Sequence, residues 1–281
     1  MVKRIVTAVV AALFLLLPCL IWSDTWLLPI GVSVFAAIGA FELIRCTKVH
    51  HKLWLTIPLC LMAGAAPICV RLGTDYNDEK IMIYGAMAAV LLFVVYMLMM
   101  TVFVYGRVSV PDVCTALVLS LYATVGFASI VYLRDLKNAA GEDIGVKLFL
   151  LPFIGAWITD IFAYFTGILF GKHKLIPHVS PKKTVEGSIG GAVFCIAAFV
   201  LYSVLFFGEG AEWTQHLFFG IIGLVASFVA QIGDLSVSVL KRHYDRKDMG
   251  RILPGHGGVM DRFDSIVAVA AVLAVSFSLL F

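Results

Sequence analysis

The amino-acid sequence predicts an all-α, polytopic transmembrane helical bundle of about nine spanning helices, with its N-terminus in the cytoplasm. Of the 281 residues, 61% are hydrophobic and only 14% are charged, whereas globular domains carry about 25% charged residues. The apolar residues form runs of 18 or more, long enough to cross a hydrocarbon layer of about 30 Å. Because a water-soluble core cannot bury this much apolar surface, we expect the bilayer to be the solvent of this chain.

Each predicted span is an apolar run bounded by charged or turn-forming residues. Lys3 and Arg4 precede the first run, as in a signal peptide, but residues 18–22 contain no small-residue cleavage site, so we interpret this run as a helix. Six cysteines lie in or beside apolar segments without paired spacing, which predicts neither a disulfide framework nor a zinc site. The predicted spans are residues 5–22, 26–43, 53–70, 81–105, 114–133, 146–170, 188–207, 216–240 and 265–281.

The positive charges in the connecting loops predict the orientation of the chain. Sixteen of the 21 Lys and Arg residues fall on the side of the N-terminus, and excess positive charge stays on the cytoplasmic side of a membrane. We therefore expect a multi-pass protein of the cell (inner) membrane with its basic loops, and any site that they form, facing the cytoplasm.

The two halves of the sequence differ in character. Residues 1–133, with five predicted spans, are almost free of ionisable groups within those spans and are interpreted as a scaffold. Glu42 is an exception, which we predict to pair locally with Arg45. Residues 134–281, with four predicted spans, carry two long basic loops and acids inside apolar sequence, so we predict the catalytic region there.

Two acids lie inside predicted spans. Asp160 follows Trp-Ile-Thr in the sixth span, and Asp234 follows Gln-Ile-Gly in the eighth. A charged residue inside a spanning helix costs about 2.5 to 3.5 kcal/mol on insertion scales, so such residues indicate function. For Asp160 a packing role is equally open. Asp234, within about two turns of the cytoplasmic end of its span, is predicted to be functional.

A glycine-rich segment precedes the last span. Residues 254–265 read PGHGGVMDRFDS, and their glycines allow backbone to approach a phosphate-bearing ligand closely. Asp261 and Asp264 are three residues apart at a helix start and so share one face. With Asp234 from a neighbouring helix they would form an all-oxygen cluster suited to Mg²⁺. Taken alone, acids at a helix start are also ordinary dipole-favoured residues.

Two basic segments are candidate phosphate sites. In residues 238–248 (SVLKRHYDRKD), Lys241 and Arg242 lie near Asp234 and could clamp phosphates, whereas Arg246 fits the positive-inside rule or nonspecific binding to lipid head groups. Residues 180–191 (SPKKTVEGSIGG) join a basic turn to a helix start, where anions are attracted. The glycine spacing of a P-loop is absent there, so a basic juxtamembrane loop with a small-residue helix contact is the alternative.

These segments together resemble the phosphatidate cytidylyltransferases, also called CDP-diacylglycerol synthases. The resemblance covers roughly residues 159–265, while the first half matches only as generic hydrophobic helices. The residues that carry it are Ser238, Lys241, Arg242, Lys247, Asp248, Pro254, Gly255, His256, Gly257, Gly258, Asp261, Arg262, Phe263 and Asp264, together with residues 180–187 and the pair Gly233 and Asp234.

The resemblance implies an enzyme that makes CDP-diacylglycerol and pyrophosphate from CTP and phosphatidic acid, using Mg²⁺ alone or with a second cation. It implies the bilayer as a partner and no nucleic acid, and it leaves a homodimer open. The implied metal ligands are Asp234, Asp261 and Asp264; the implied catalytic residues are these three with Lys241, Arg242 and His256; the implied substrate-binding residues are Ser180, Lys182, Lys183, Thr184, Ser238, Lys247, Asp248, Gly257, Gly258 and Arg262.

Other interpretations start from the same residues. A CTP-dependent lipid kinase, or a cytidylyltransferase acting on another lipid phosphate, would use the same metal and cations, and product identity separates them because a kinase releases CDP rather than pyrophosphate. An ion-coupled transporter would use Asp160 and Asp234 as midplane ion sites. Against that interpretation, the acids and basic loops are predicted at one face of the membrane, not at its centre.

Overall fold

The computed structural model of the chain describes residues 22–47, 51–76, 79–103, 106, 109–138, 140–208, 212–250 and 257–280. Eight long helices, one short helix and one two-stranded hairpin account for most of these residues. In chain order they are α1 (Leu27–Cys46), α2 (Leu53–Tyr76), α3 (Glu79–Phe103), α4 (Val110–Arg134), α5 (Gly145–Leu148), α6 (Leu151–Phe170), β1 (Lys174–Ile176), β2 (Ser180–Thr184), α7 (Val185–Phe207), α8 (Trp213–His243) and α9 (Met260–Ser278).

The predicted all-α, polytopic class is confirmed. In the described part of the chain, seven helices are long and apolar enough to cross a membrane, and they coincide with the predicted spans from 26–43 to 216–240. The ninth predicted span falls on α9, which is not among the seven and begins with Asp261, Arg262 and Asp264 in its first turns. All but the last residue of the first predicted span, 5–22, lies outside the described residues.

A small antiparallel hairpin was not predicted. β1 pairs with β2 through Lys174 opposite Thr184 and Ile176 opposite Ser180, in a segment that the sequence predicted as a basic turn. Pro177 directly follows β1 and favours a turn there because its ring fixes φ. Glu186 closes the base of the hairpin by accepting bonds from the backbone N–H groups of Lys172 (3.1 Å) and His173 (3.2 Å).

The chain forms two compact units. The first comprises Met1–Asp135 and Asp248–Asp261. In it α1, α2 and α4 pack against one another around fully buried side chains that include Ile44, Leu59 and Ala116. Helix α3 exposes large apolar side chains along most of its length, as a lipid-facing helix does.

The second unit comprises Leu136–Lys247 and Arg262–Phe281. Helices α6, α7 and α8 pack side by side, and α6 approaches α7 closely where α7 begins. A Cβ atom added to Gly187 would lie 2.6 Å from the carbonyl oxygen of Ala163 on α6, so only glycine fits there. This tight crossing fixes the start of α7, and with it the end of the hairpin, against α6. The predicted functional division at residue 133 stays a prediction.

Candidate active site

An ion pair joins two of the segments that the sequence singled out. The Lys183 ammonium, in β2, lies 2.5 Å from Oδ2 of Asp234, in α8. Their side chains are 23% and 28% exposed, but the Lys183 ammonium nitrogen itself is buried, so the two charges are partly shielded from water. The predicted phosphate-binding lysine and the predicted metal-binding acid therefore lie at one site, although 51 residues separate them in sequence.

A close helix crossing brings Asp264 to the same site. A Cβ atom added to Gly233 of α8 would lie 2.8 Å from the carbonyl oxygen of Asp264 and 3.0 Å from Cβ of Ala268, both in α9. Asp264 is 8% exposed, and its Oδ1 accepts a bond from the backbone N–H of Ser265 at 2.8 Å. Glycine at position 233 thus lets α8 and α9 meet beside Asp234.

Charges concentrate where these elements meet. The charges of Asp234, Asp160 and Lys241 all act on the Asp264 carboxyl group. Three acids from three helices, opposed by two lysines, form what we call the acidic cluster: Asp160, Asp234 and Asp264 with Lys183 and Lys241. Because like charges held this closely repel one another, the cluster favours the binding of a cation.

Asp160 belongs to this cluster. From the sequence, a packing role and a functional role were equally open for it. It lies near the middle of α6 and interacts electrostatically with Lys183 and Asp234. Its side chain reaches the surface of the chain rather than being enclosed within the helix packing. The available signal was the acid inside an apolar span, which indicated a special residue but did not identify its partners.

Gln231 and Ser188 are neighbours of the cluster that sequence reasoning missed. The Gln231 amide donates to the Ser188 carbonyl oxygen (3.4 Å) and to Oγ of Ser227 (3.3 Å), and the Ser188 hydroxyl donates to Oε1 of Gln231. These bonds join the start of α7 to α8, one turn before Asp234. A glutamine inside an apolar helix was the signal, since such a group must find partners when buried.

The remaining predicted residues of the hairpin have distinct surroundings. Thr184 is buried and caps α7, because its Oγ1 accepts a bond from the backbone N–H of Gly187 at 3.1 Å. Lys182 is exposed in the same strand, which Ser180 begins. Contacts of these three residues with a nucleotide stay a prediction.

The end of α8 carries the second basic segment. Ser238 lies one turn beyond Asp234, and Lys241 and Arg242 lie in the last turn of the helix. Of these, Lys241 acts electrostatically on Asp264. Lys247, beyond the helix, and Arg262, in the first turn of α9, are exposed. The interaction of Lys241 with Asp264 ties the end of α8 to the cluster.

The first unit contains the other part of the glycine-rich segment. Oδ2 of Asp261 accepts bonds from the backbone N–H groups of Met249 and Gly258, both at 2.9 Å. Gly257 has a φ of +85°, which glycine adopts without strain. Asp248 is exposed, and His256 lies outside the described residues. Asp261 thus holds backbone in addition to any role that it has toward a ligand.

The donor chemistry of the predicted metal ligands fits a hard cation. The predicted ligands Asp234, Asp261 and Asp264 offer only carboxylate oxygens, the donors that Mg²⁺ prefers, and the Lys183 ammonium already lies against Asp234. No three His, Cys, Asp or Glu side chains in the described ranges stand in a ready-made metal-binding arrangement. Metal ligation by the three acids is therefore still a prediction.

Comparisons with known proteins bear on the whole chain. The sequence profile of the cytidylyltransferase family matches residues 2–280. A phosphatidate cytidylyltransferase of Staphylococcus saprophyticus is 34% identical over 275 residues, covering 97% of each chain. The protein of the same name from Bacillus subtilis is 31% identical over 272 residues, covering 96% of this chain and 94% of its own.

Proposed function

The chain belongs to the cytidylyltransferase family, and we propose that its acidic cluster is the place where CMP passes from CTP to phosphatidate. The chain is a nucleotidyltransferase that makes CDP-diacylglycerol and pyrophosphate for phospholipid biosynthesis. The observation that carries the assignment of the site is the 2.5 Å pair of Lys183 with Asp234, because it unites a cationic and an acidic segment.

The reaction depends more on neutralising the negative charges of the substrates and of pyrophosphate than on proton transfer. A phosphate monoester has its second pKa near 6, so the phosphatidate oxygen is already ionised at neutral pH and needs no strong base. That oxygen forms a bond to the α-phosphorus of CTP while the bond from this phosphorus to the bridging oxygen of pyrophosphate breaks. The enzyme must bring two anions together and neutralise a third as it leaves.

The side chains around the cluster suit these tasks. We assign Lys182 and Lys183 to the nucleotide phosphates, since Lys182 is exposed and Lys183 reaches the cluster from the same strand. Lys241 and Arg242, in the last turn of α8, are assigned to the lipid phosphate or the triphosphate. Asp160 adds negative charge near Lys183, whose ammonium pairs with Asp234.

The acids are assigned to a divalent cation. Asp234 and Asp264 would hold Mg²⁺, with Asp261 as a further ligand proposed from its position in the sequence motif. Bound there, Mg²⁺ would lower the repulsion between the two phosphates and neutralise the charge that develops on pyrophosphate. Buried Asp264 is anchored by the N–H of Ser265, so its orientation is preset before the substrates arrive.

We place the site at the cytoplasmic face of the cell membrane, from the charge distribution in the loops. The test uses single cysteines in a chain whose native cysteines are replaced by alanine. Lys247→Cys should react with an impermeant maleimide in inside-out vesicles only, and Lys137→Cys in intact cells. The reverse pattern would overturn the orientation. A homodimer remains a hypothesis, to be tested by light scattering of the chain in detergent.

The assignment of the site is tested by following both products. Membranes containing the chain receive CTP labelled at the α-phosphate, phosphatidate and Mg²⁺, and chloroform-soluble label and pyrophosphate are measured. We expect equal amounts of both from the wild type, and at least a tenfold loss of both in Lys183→Ala. Glu212→Gln, at the other end of α8, is the matched control and should keep activity. Unchanged activity in Lys183→Ala would refute the assignment; release of CDP in place of pyrophosphate would show a kinase.

A further inference from the structure

A buried glutamate of the first unit holds the start of α9. Glu42 of α1 is 1% exposed. Its Oε2 accepts a bond from the backbone N–H of Met260 at 2.8 Å, and the backbone N–H of Val259 also donates to this carboxyl group. The sequence predicted a local pairing with Arg45, which does act on the carboxyl group electrostatically. The described hydrogen bonds go instead to the first turn of a helix 218 residues away.

The backbone around Glu42 is shaped to its carboxyl group. A Cβ atom added to Gly250, or to Gly258, would collide with the Glu42 carboxyl atoms. Two stretches of backbone therefore close on one carboxyl group, each at a residue without a side chain. Beside them, the thiol of Cys46, also in α1, donates to Sδ of Met249 at 2.9 Å. Helix α1 thus contacts both the segment that ends at Gly250 and the segment that leads into α9.

Asp261 contacts the same part of the backbone. Its Oδ2 accepts bonds from Met249 and from Gly258, at 2.9 Å each. Asp261 thus bonds to both pieces of backbone, whereas Glu42 bonds to residues 259–260 and packs against Gly250, and the charges of the two acids act on each other. We call these groups the carboxylate clamp: Glu42 and Asp261 with the backbone of residues 249–250 and 258–260.

Stability alone does not account for a glutamate at this position. Oε1 of Glu42 is buried and has no hydrogen-bond partner among the described residues. Leaving a carboxylate oxygen unsatisfied costs free energy, and apolar residues of similar volume commonly replace buried charges without loss of stability. What a carboxylate does and an apolar side chain cannot do is fix two N–H groups at a helix start, where the helix dipole favours negative charge.

We propose that Glu42 is a positioning residue for catalysis: it fixes the first turn of α9 and thereby the orientation of Asp261. The proposal rests on the proposed function, since Asp261 belongs to the motif assigned to CMP transfer. It gives the first half of the chain, interpreted from sequence as a scaffold, one residue that acts on the chemistry. It also explains why residues 250 and 258 are glycines.

The test compares Glu42→Ala, Glu42→Gln and Gly250→Ala with the wild type. Glu42→Ala removes the acceptor and should lower kcat at least tenfold, with the KM for CTP changed less than threefold. Glu42→Gln keeps an acceptor oxygen and should recover kcat to within about fivefold of the wild type, since one neutral hydrogen bond is worth about 1 kcal/mol. Gly250→Ala should resemble Glu42→Ala, because its methyl group displaces the carboxyl group.

Asp135→Asn is the matched control for a merely structural role. Asp135 is another buried acid of the first unit, paired with Arg71 and bonded to Thr74. We expect it to lower the midpoint of thermal unfolding in detergent as much as Glu42→Ala does, with kcat within twofold of the wild type. Equal losses of kcat in the two variants, or full activity in Glu42→Ala, would overturn the proposal.

Two further results distinguish a failure of the Glu42 proposal from a failure of the proposed function and from misfolding of a variant. If the wild type makes no CDP-diacylglycerol, the proposed function itself fails. If Glu42→Ala does not fold, the test uses amide hydrogen exchange in Glu42→Gln and Gly250→Ala instead. The amides of residues 258–261 should exchange faster in Gly250→Ala than in Glu42→Gln. Equal protection in both would refute the clamp.

Discussion

The acidic side chains of the two units have different kinds of partner. In the first unit, Glu42 and Asp261 accept hydrogen bonds from backbone N–H groups. In the second, Asp160, Asp234 and Asp264 repel one another and are offset by the side-chain cations of Lys183 and Lys241. Backbone donors are fixed by the fold, whereas a lysine ammonium can move to another anion.

This difference distinguishes carboxylates that fix the backbone from carboxylates that attract a cation. A carboxylate bound by backbone N–H groups stabilises one conformation of the chain, and an amide with the same shape can partly replace it. Carboxylates that lie close together repel one another, and this repulsion favours the binding of a cation. A neutral amide in place of one carboxylate weakens that attraction because it carries no charge. We therefore expect the same chemical change, acid to amide, to have very different effects at Glu42 of the first unit and at Asp264 of the second.

The largest effect is expected at Asp264. Asp264→Asn removes a charge from the acidic cluster and should lower kcat/KM by roughly 10² to 10³, the cost of losing one preorganised electrostatic group. Glu42→Gln, the same change in the carboxylate clamp, should stay within about fivefold of the wild type. Initial rates of CDP-diacylglycerol formation at saturating Mg²⁺ measure both. Similar losses in the two variants would remove the distinction between the units.

A smaller effect is expected from the helix crossing that brings the acids together. Gly233→Ala adds a methyl group 2.8 Å from the Asp264 carbonyl oxygen, so α8 and α9 must separate by a few tenths of an ångström. Because misplacement by 1 Å costs about a hundredfold in rate, we expect roughly a tenfold loss of kcat. Gly85→Ala, on α3 where the added Cβ meets no atom within 4 Å, is the control. Full activity in Gly233→Ala would show that the crossing does not set the site.

The smallest effect is expected from an exposed cation of the hairpin. Lys182→Ala should raise the KM for CTP about fivefold and leave kcat nearly unchanged, because an exposed charge contributes about 1 kcal/mol or less. The effect should fade as ionic strength rises. Lys137→Ala, predicted at the other face of the membrane, should not change the KM. A large loss of kcat in Lys182→Ala would place this residue in the reacting geometry rather than at its edge.

Composition was sufficient to predict the fold class. Apolar runs long enough to span a bilayer have few other uses, so the predicted spans from 26–43 to 216–240 coincide with helices. The β1–β2 hairpin was missed because three- and five-residue strands of polar sequence carry no periodic signal. Local context was likewise sufficient to single out Asp234 and Lys183, since charge in or beside apolar sequence is expensive.

Partners distant in sequence could not be predicted. Nothing near Glu42 in sequence indicates that it binds Met260, 218 residues later. The cluster neighbours of Asp160 depend on how α6 packs against other helices, which a periodic pattern does not encode. The donors to Asp261 are backbone groups, and every residue except proline has one. Sequence thus indicated which residues are unusual, and packing determined what they contact.

The most direct test of the acidic cluster measures CDP-diacylglycerol synthesis by purified wild-type and Asp234→Asn chains across a Mg²⁺ titration, with CTP labelled at the α-phosphate. We predict Mg²⁺-dependent transfer of label into lipid by the wild type, and about 1% of that rate or less for Asp234→Asn at every Mg²⁺ concentration. Wild-type conversion by Asp234→Asn at limiting Mg²⁺ would contradict the assignment of the acidic cluster as the site of CMP transfer.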